Sequence, residues 1–179
     1  MNNTPSTEER VWAVLAHLSA IAFGMGILLP VIGWSEQRRK SNYASFQCLQ
    51  ALGYQSLGYT VWILGYLVIM IVFVVALAVD AGISDSGTKS GSPFLAEGMG
   101  TFFSAFILIG FGVYFLFPVI AAIACALGRD YRYPVMGGRL ARYLGYDPMS
   151  TSEERTWLVE DHEDRWVAAM GHASVIILI

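Results

Sequence analysis

The chain has 179 residues, 55% of them hydrophobic and only 14% charged, whereas an ordinary soluble domain is about 25% charged. Eleven Lys and Arg against 14 Asp and Glu leave a net charge of -3, which excludes the basic footprint of a nucleic-acid-binding protein. The two cysteines, Cys48 and Cys125, exclude a disulfide framework and a four-cysteine zinc site.

Residues 1–10, MNNTPSTEER, form an N-terminal tail. It lacks the basic start of a signal peptide and is too acidic for an organellar transit peptide, so the first apolar segment is expected to serve as its own insertion signal. No Asp, Glu, Lys or Arg occurs in residues 11–35, 41–79 or 98–128. Each run exceeds the ~20 residues that cross a hydrocarbon core as a helix. The fold class that follows is all-α: a helical integral membrane protein with three transmembrane helices in one membrane domain (residues 11–146), plus interfacial amphipathic segments and the start of a fourth apolar helix.

The first helix, residues 11–34, is weakened in its second half by Gly24, Gly26, Pro30 and Gly33. Full crossing is the expectation, and a broken or re-entrant helix is the alternative. His17 and Ser19 lie about two turns in. Polar groups at such depth face the bundle interior, and an ionisable one is a functional candidate. Residues two apart point to different helix faces, so they are not a nucleophile and its base. The plainer reading of His17 is a neutral imidazole bonded to a neighbouring helix, because no acid or base lies inside any predicted helix to relay a proton.

Arg38, Arg39 and Lys40 follow. In SNYASFQCLQALGYQ (residues 41–55), Gln47, Gln50 and Gln55 share an arc of roughly 140° at 100° per residue. That pattern describes a helix at or entering the interface, with its amides turned to water or a partner helix. A polar path lined by His17 and these glutamines is the alternative. The second membrane helix, residues 57–79, is ~34 Å long at 1.5 Å per residue. The loop DAGISDSGTKSGSPFLAE (80–97) offers only Lys89 beside Asp80, Asp85 and Glu97. Arg129, Arg132, Arg139 and Arg142 follow the third helix, about residues 101–127. The basic segments are therefore expected in the cytoplasm and the loop outside. Pro118 is expected to kink the third helix without ending it. Gly53, Gly58, Gly65, Gly110 and Gly112, with Ala121, Ala122, Ala124 and Ala126, offer small surfaces for close helix packing.

Tyr131, Arg132, Tyr133 and Pro134 read as an interfacial anchor. Met136, Leu140, Tyr143 and Leu144, at helical spacing beside Arg139 and Arg142, read as a short interfacial helix on anionic lipid. Residues 147–165, with seven acids and two arginines, read as an acidic cytoplasmic linker in which His162 is solvated. Residues 166–179 start a further membrane helix. RVWAVLAHLSAI from Arg10 aligns with RWVAAMGHASVI from Arg165, and EERVW recurs as EERTW from Glu153, so this end reads as a truncated second copy.

The segments EERVWAVLAHLSA, PVIGW (30–34), SNYASFQCLQALGYQ and GRDYRYPVMGG (128–138) together resemble small bacterial membrane proteins of the Tic-twenty-like group, relatives of a plastid inner-envelope protein-import component. The resemblance covers residues 4–144. It implies a helical integral membrane domain and, by distant analogy, a place beside a protein-conducting pore, and it brings no catalytic residues. The chain has no HExxH, no CxxC and no Gly-rich phosphate loop on a strand, so no catalytic, cofactor or metal residue is assigned. The expected function is that of a non-enzymatic, multi-pass protein of the cell membrane acting through helix association. Its expected partners are the lipid bilayer and a second copy or another membrane protein, with no nucleic acid; a transport or protein-translocation component is the alternative.

Overall fold

The computed structural model describes residues 4–85, 93–147 and 158–175. The tip of the acidic loop, the EERTW repeat and residues 176–179 lie outside the described residues. No strand occurs among those described, and three segments are long and apolar enough to cross a membrane: Thr7–Gln37, Asn42–Val79 and Gly100–Ala126.

Helix α1 (Thr7–Leu18) begins one turn before the charge-free run. Its start is a capping box: Glu9 N–H donates to Ser6 Oγ at 3.3 Å, and Ser6 N–H donates to the Glu9 carboxylate at 2.5 Å, satisfying donors that a helix start leaves open. A 3₁₀ segment, Ser19–Ile27, leads into α2 (Leu28–Gln37). The break is at Phe23, whose φ of 50° and ψ of -136° are not helical. A positive φ strains a bulky residue; here the Phe23 ring is held edge-to-face by Tyr59 at 4.9 Å and Tyr114 at 5.4 Å. The chain then doubles back. Gly33 faces the Trp12 indole, and Gln37 Nε2 donates to Glu8 Oε1 at 3.1 Å, so α1 and α2 form an antiparallel hairpin. At its turn a Cβ on Gly26 would collide with the Ser19 carbonyl oxygen, which only glycine avoids.

Helices α3 (Asn42–Asp85) and α4 (Pro93–Ala126) are the two longest. Helix α4 runs on through Pro118. The described residues fall into two compact units, Val61–Val113 and the remainder. In the Val61–Val113 unit, Gly65 faces the Phe106 ring and Gly110 the Trp62 indole, and Trp62 packs on Phe111 at 4.5 Å. Val61, Val68, Ile71, Leu108 and Ile109 are exposed. An uncovered apolar surface of this kind marks contact with lipid.

The other unit has the core. Phe46, Leu49 and Ala51 of α3 meet Ala16, Trp34, and Leu140, Ala141 and Leu144 of α5 (Gly137–Leu144). Helix α5 thus turns its apolar face inward and leaves Arg139 and Arg142 exposed; Gly145, at φ 68°, closes it in the left-handed conformation usual after a helix end. Helix α6 (Glu160–Val175) begins within the acidic stretch. It runs parallel to α3: Trp166 Nε1–H donates to Leu49 O at 3.0 Å and the Thr60 hydroxyl to Ala173 O at 3.1 Å. Gly53 leaves room for the Trp166 ring. Arg38 pairs with Asp164 at 3.0 Å, Glu160 at 3.5 Å and Glu163 at 3.6 Å, and Arg39 pairs with Glu160. His162 stacks on Tyr143 with ring centroids 4.4 Å apart, and His172 is exposed.

Candidate functional site

The polar residues of α1 and α3 meet the loop that follows α4 in one buried network. His17, Gln47 and Gln50 are fully buried and Tyr133 nearly so. Gln47 Nε2 donates to Asp130 Oδ1 at 2.9 Å and to Tyr131 O at 3.1 Å. Both partners are acceptors, so they fix the amide's orientation and leave Gln47 Oε1 to accept. It accepts from Gln50 Nε2 at 3.2 Å and faces His17 Nε2 at 3.0 Å. His17 therefore carries its proton on Nε2, and its Nδ1 accepts from the Tyr133 hydroxyl at 3.0 Å. Gln50 Nε2 also donates to Tyr131 O at 3.0 Å, while Gln50 Oε1 accepts from Tyr133 N–H at 3.1 Å. The Tyr133 ring stacks on Tyr54 with centroids 4.2 Å apart. Burial raises the Tyr133 hydroxyl well above its ordinary value, so it stays a donor.

Asp130 forms the outer end of the network. It accepts from Arg132 Nε at 3.2 Å and from the Tyr146 hydroxyl at 3.3 Å. Burial raises its carboxyl above the usual range, against the opposing pull of Arg132, Tyr146 and Gln47. Gln55 stands apart from this cluster: its Nε2 donates to Ala16 O at 2.9 Å and to Ser19 Oγ at 3.0 Å, and Ser19 Oγ donates to Ala16 O at 2.8 Å. These bonds occupy backbone and hydroxyl groups where α1 gives way to the 3₁₀ segment.

Of the tetrad read as an interfacial anchor, Arg132 and Pro134 are exposed, Tyr131 is half-buried, and Tyr133 points inward to His17. Just beyond it Met136 N–H bonds Pro134 O at 2.7 Å across Val135, at φ 67°. This is a tight γ-type turn, strained for a β-branched residue. Asp130 and Tyr146 were missed by sequence reasoning; the available signal was that Asp130 follows the third charge-free run by only two residues.

Chemically, the network is close to saturated. The His17, Gln47 and Gln50 side chains are turned to one another and to the 130–133 loop. Neither cysteine is exposed, and among the described residues no group of three potential ligands could hold a metal ion. The arrangement ties α1 and α3 to the loop after α4.

The stretch that contains this network is matched by a family model, that of the magnetosome magnetite crystal formation proteins (MamF/MmsF), over residues 8–141. The chain belongs to the MamF/MmsF family. No curated protein and no solved structure gives a match. The match corrects the Tic-twenty-like resemblance. The segments that carried that resemblance supply His17, Gln50, Gln55 and Tyr133, residues that a buried polar joint demands; they report how helices are tied together and not which family ties them. In this MamF/MmsF protein, every member of the network except Tyr146 falls inside the matched stretch, and α6 falls outside it.

Proposed function

We propose that this protein takes part in magnetite crystal formation as a non-enzymatic component of the membrane that encloses the crystal, acting through association of its helices with a second copy or another membrane protein. The family match over residues 8–141 carries the reading. The buried network supports the non-enzymatic part, because its polar atoms bind one another and leave no base beside a nucleophile. Bonded to one another and to the 130–133 loop, His17, Gln47 and Gln50 give no support to a polar path. The exposed apolar faces of both units suit lipid and neighbouring helices.

The test is deletion of the gene in a magnetite-forming cell, followed by complementation and measurement of crystal dimensions by electron microscopy. Altered crystals restored by the wild-type chain support the proposal. Crystals of unchanged size, shape and number after deletion overturn it.

A further inference from the structure

We propose that the α1–α2 hairpin enters and leaves the bilayer by the same face, lodged among the acyl chains of one leaflet. The N-terminus then lies on the same side as Arg38, Arg39 and Lys40. This goes beyond the functional reading above and stands independently of it.

The lengths favour this placement. A straight helix over the 31 residues of Thr7–Gln37 would be ~46 Å long at 1.5 Å per residue. Instead Glu8 and Gln37, near its two ends, are hydrogen-bonded at 3.1 Å. Twelve residues make α1 about 18 Å long and ten make α2 about 15 Å. Half of a ~30 Å hydrocarbon core is ~15 Å. Each arm therefore has the length of one leaflet.

Charge and exposure agree with it. Every ionic residue of the hairpin lies at its mouth: Glu8, Glu9 and Arg10 on one arm, Glu36 just before the end of the other. Val11, Leu15, Ile21, Leu28 and Ile32 are exposed along the arms, and Met25, at the turn, is 75% exposed. A water-facing surface would not carry that band, and nothing ionic interrupts it to meet a second headgroup layer.

Where the backbone leaves the helical conformation, the turn is covered by protein on its inner side, as irregular backbone at membrane depth requires. Gln55 binds Ala16 O and Ser19 Oγ, and Tyr59 and Tyr114 flank Phe23. A separate contact fixes the side. Pro5 and Arg10 lie against Gly128, one residue before Arg129 in the basic segment that follows α4.

Single cysteines in the full chain at Thr4, Lys40 and Met25, each exposed, test the placement; the native Cys48 and Cys125 are buried. A membrane-impermeant maleimide added to sealed, uniformly oriented vesicles is expected to label positions 4 and 40 from the same side and to equal extent. Position 25 is expected to react only after detergent is added. Nitroxide lipids confined to the leaflet on the side of Lys40 are expected to quench a fluorophore attached at position 25. Labelling of positions 4 and 40 from opposite sides overturns the proposal. So does labelling of position 25 from the far side, or quenching of it only by the far leaflet.

Discussion

His17 shows what a polar side chain in an apolar segment is for in this protein. Its two ring nitrogens meet two different elements, Gln47 on α3 and Tyr133 in the loop after α4. Interhelical hydrogen bonds in membrane proteins average only ~0.6 kcal/mol when the unfolded helices find other partners in lipid. The larger figure of about 1–3 kcal/mol for a stranded buried group governs here, because the Tyr133 hydroxyl loses its acceptor once the imidazole is gone, while Gln47 Oε1 keeps the Gln50 Nε2 donor. His17→Leu is expected to lose about 1–3 kcal/mol, and Tyr133→Phe, which strands only His17 Nδ1, about 1 kcal/mol. Denaturant titration in detergent measures both; equal losses for the two variants would show that the His17–Gln47 bond adds nothing. Asp130 contributes to the pH dependence. Its carboxyl is raised in the folded chain by burial, so the folded state holds the proton more tightly than the unfolded one. Stability from this group is greatest at low pH and declines as pH rises from the ordinary carboxylate value of ~3.9 through the folded value. Asp130→Asn keeps an acceptor for Gln47 and Tyr146 and removes the titration. It is expected to remove the Asp130 share of the fall in stability above pH ~4, leaving that of Glu163, and to keep the fold at least as stable at neutral pH.

The elements show where sequence reading stops. Charge-free runs marked the three long apolar segments because an ion cannot be left in hydrocarbon, and the arc of glutamines marked the face of α3 that turns inward. For the first segment the sequence favours full crossing over a fold-back, because glycines and a proline weaken a helix without saying which way the chain goes next. That choice rests on Phe23 at positive φ between Tyr59 and Tyr114, rings that no local pattern places beside it. From sequence Tyr133 reads as an anchor for the same reason: a tyrosine at a helix end suits a headgroup layer as well as a buried imidazole, and only the position of His17 decides. Gly26 gives the direct test of the turn. A Cβ there collides with the Ser19 carbonyl, backbone that cannot rotate away, so Gly26→Ala is expected to cost about 1–3 kcal/mol or more and to break the Glu8–Gln37 contact, read as a longer distance between spin labels at positions 4 and 40. Helix α6 rests partly on charge. Arg38 is half-buried between Glu160, Glu163 and Asp164, and burial raises the Glu163 carboxyl despite Arg38. Arg38→Gln leaves that carboxylate without its cation and is expected to loosen α6, seen as a red shift of the Trp166 emission in a variant whose other tryptophans are replaced by phenylalanine.

At the scale of the whole molecule, the family match and the packing divide the chain differently. The match ends within α5, whereas the core of the larger unit continues through Tyr146 and Leu158 to Trp166 and Val167. If the network is the joint that makes the membrane domain one piece, removing α6 must leave it standing, since His17, Gln47, Gln50, Asp130 and Tyr133 touch no residue of that helix in the bonds that define them. What is lost is apolar burial: a large side chain taken from core to solvent contributes about 1.5–3 kcal/mol, and α6 adds Trp166 and Met170. A chain ending at Asp147 is therefore expected to insert in membranes and resist alkaline extraction like the full protein. It should be a few kcal/mol less stable, yet keep the same loss on Tyr133→Phe, because sites without shared partners add. A Tyr133→Phe loss that disappears in the shortened chain would show that α6 holds the network in place, and would extend the working unit of this family member past its matched residues.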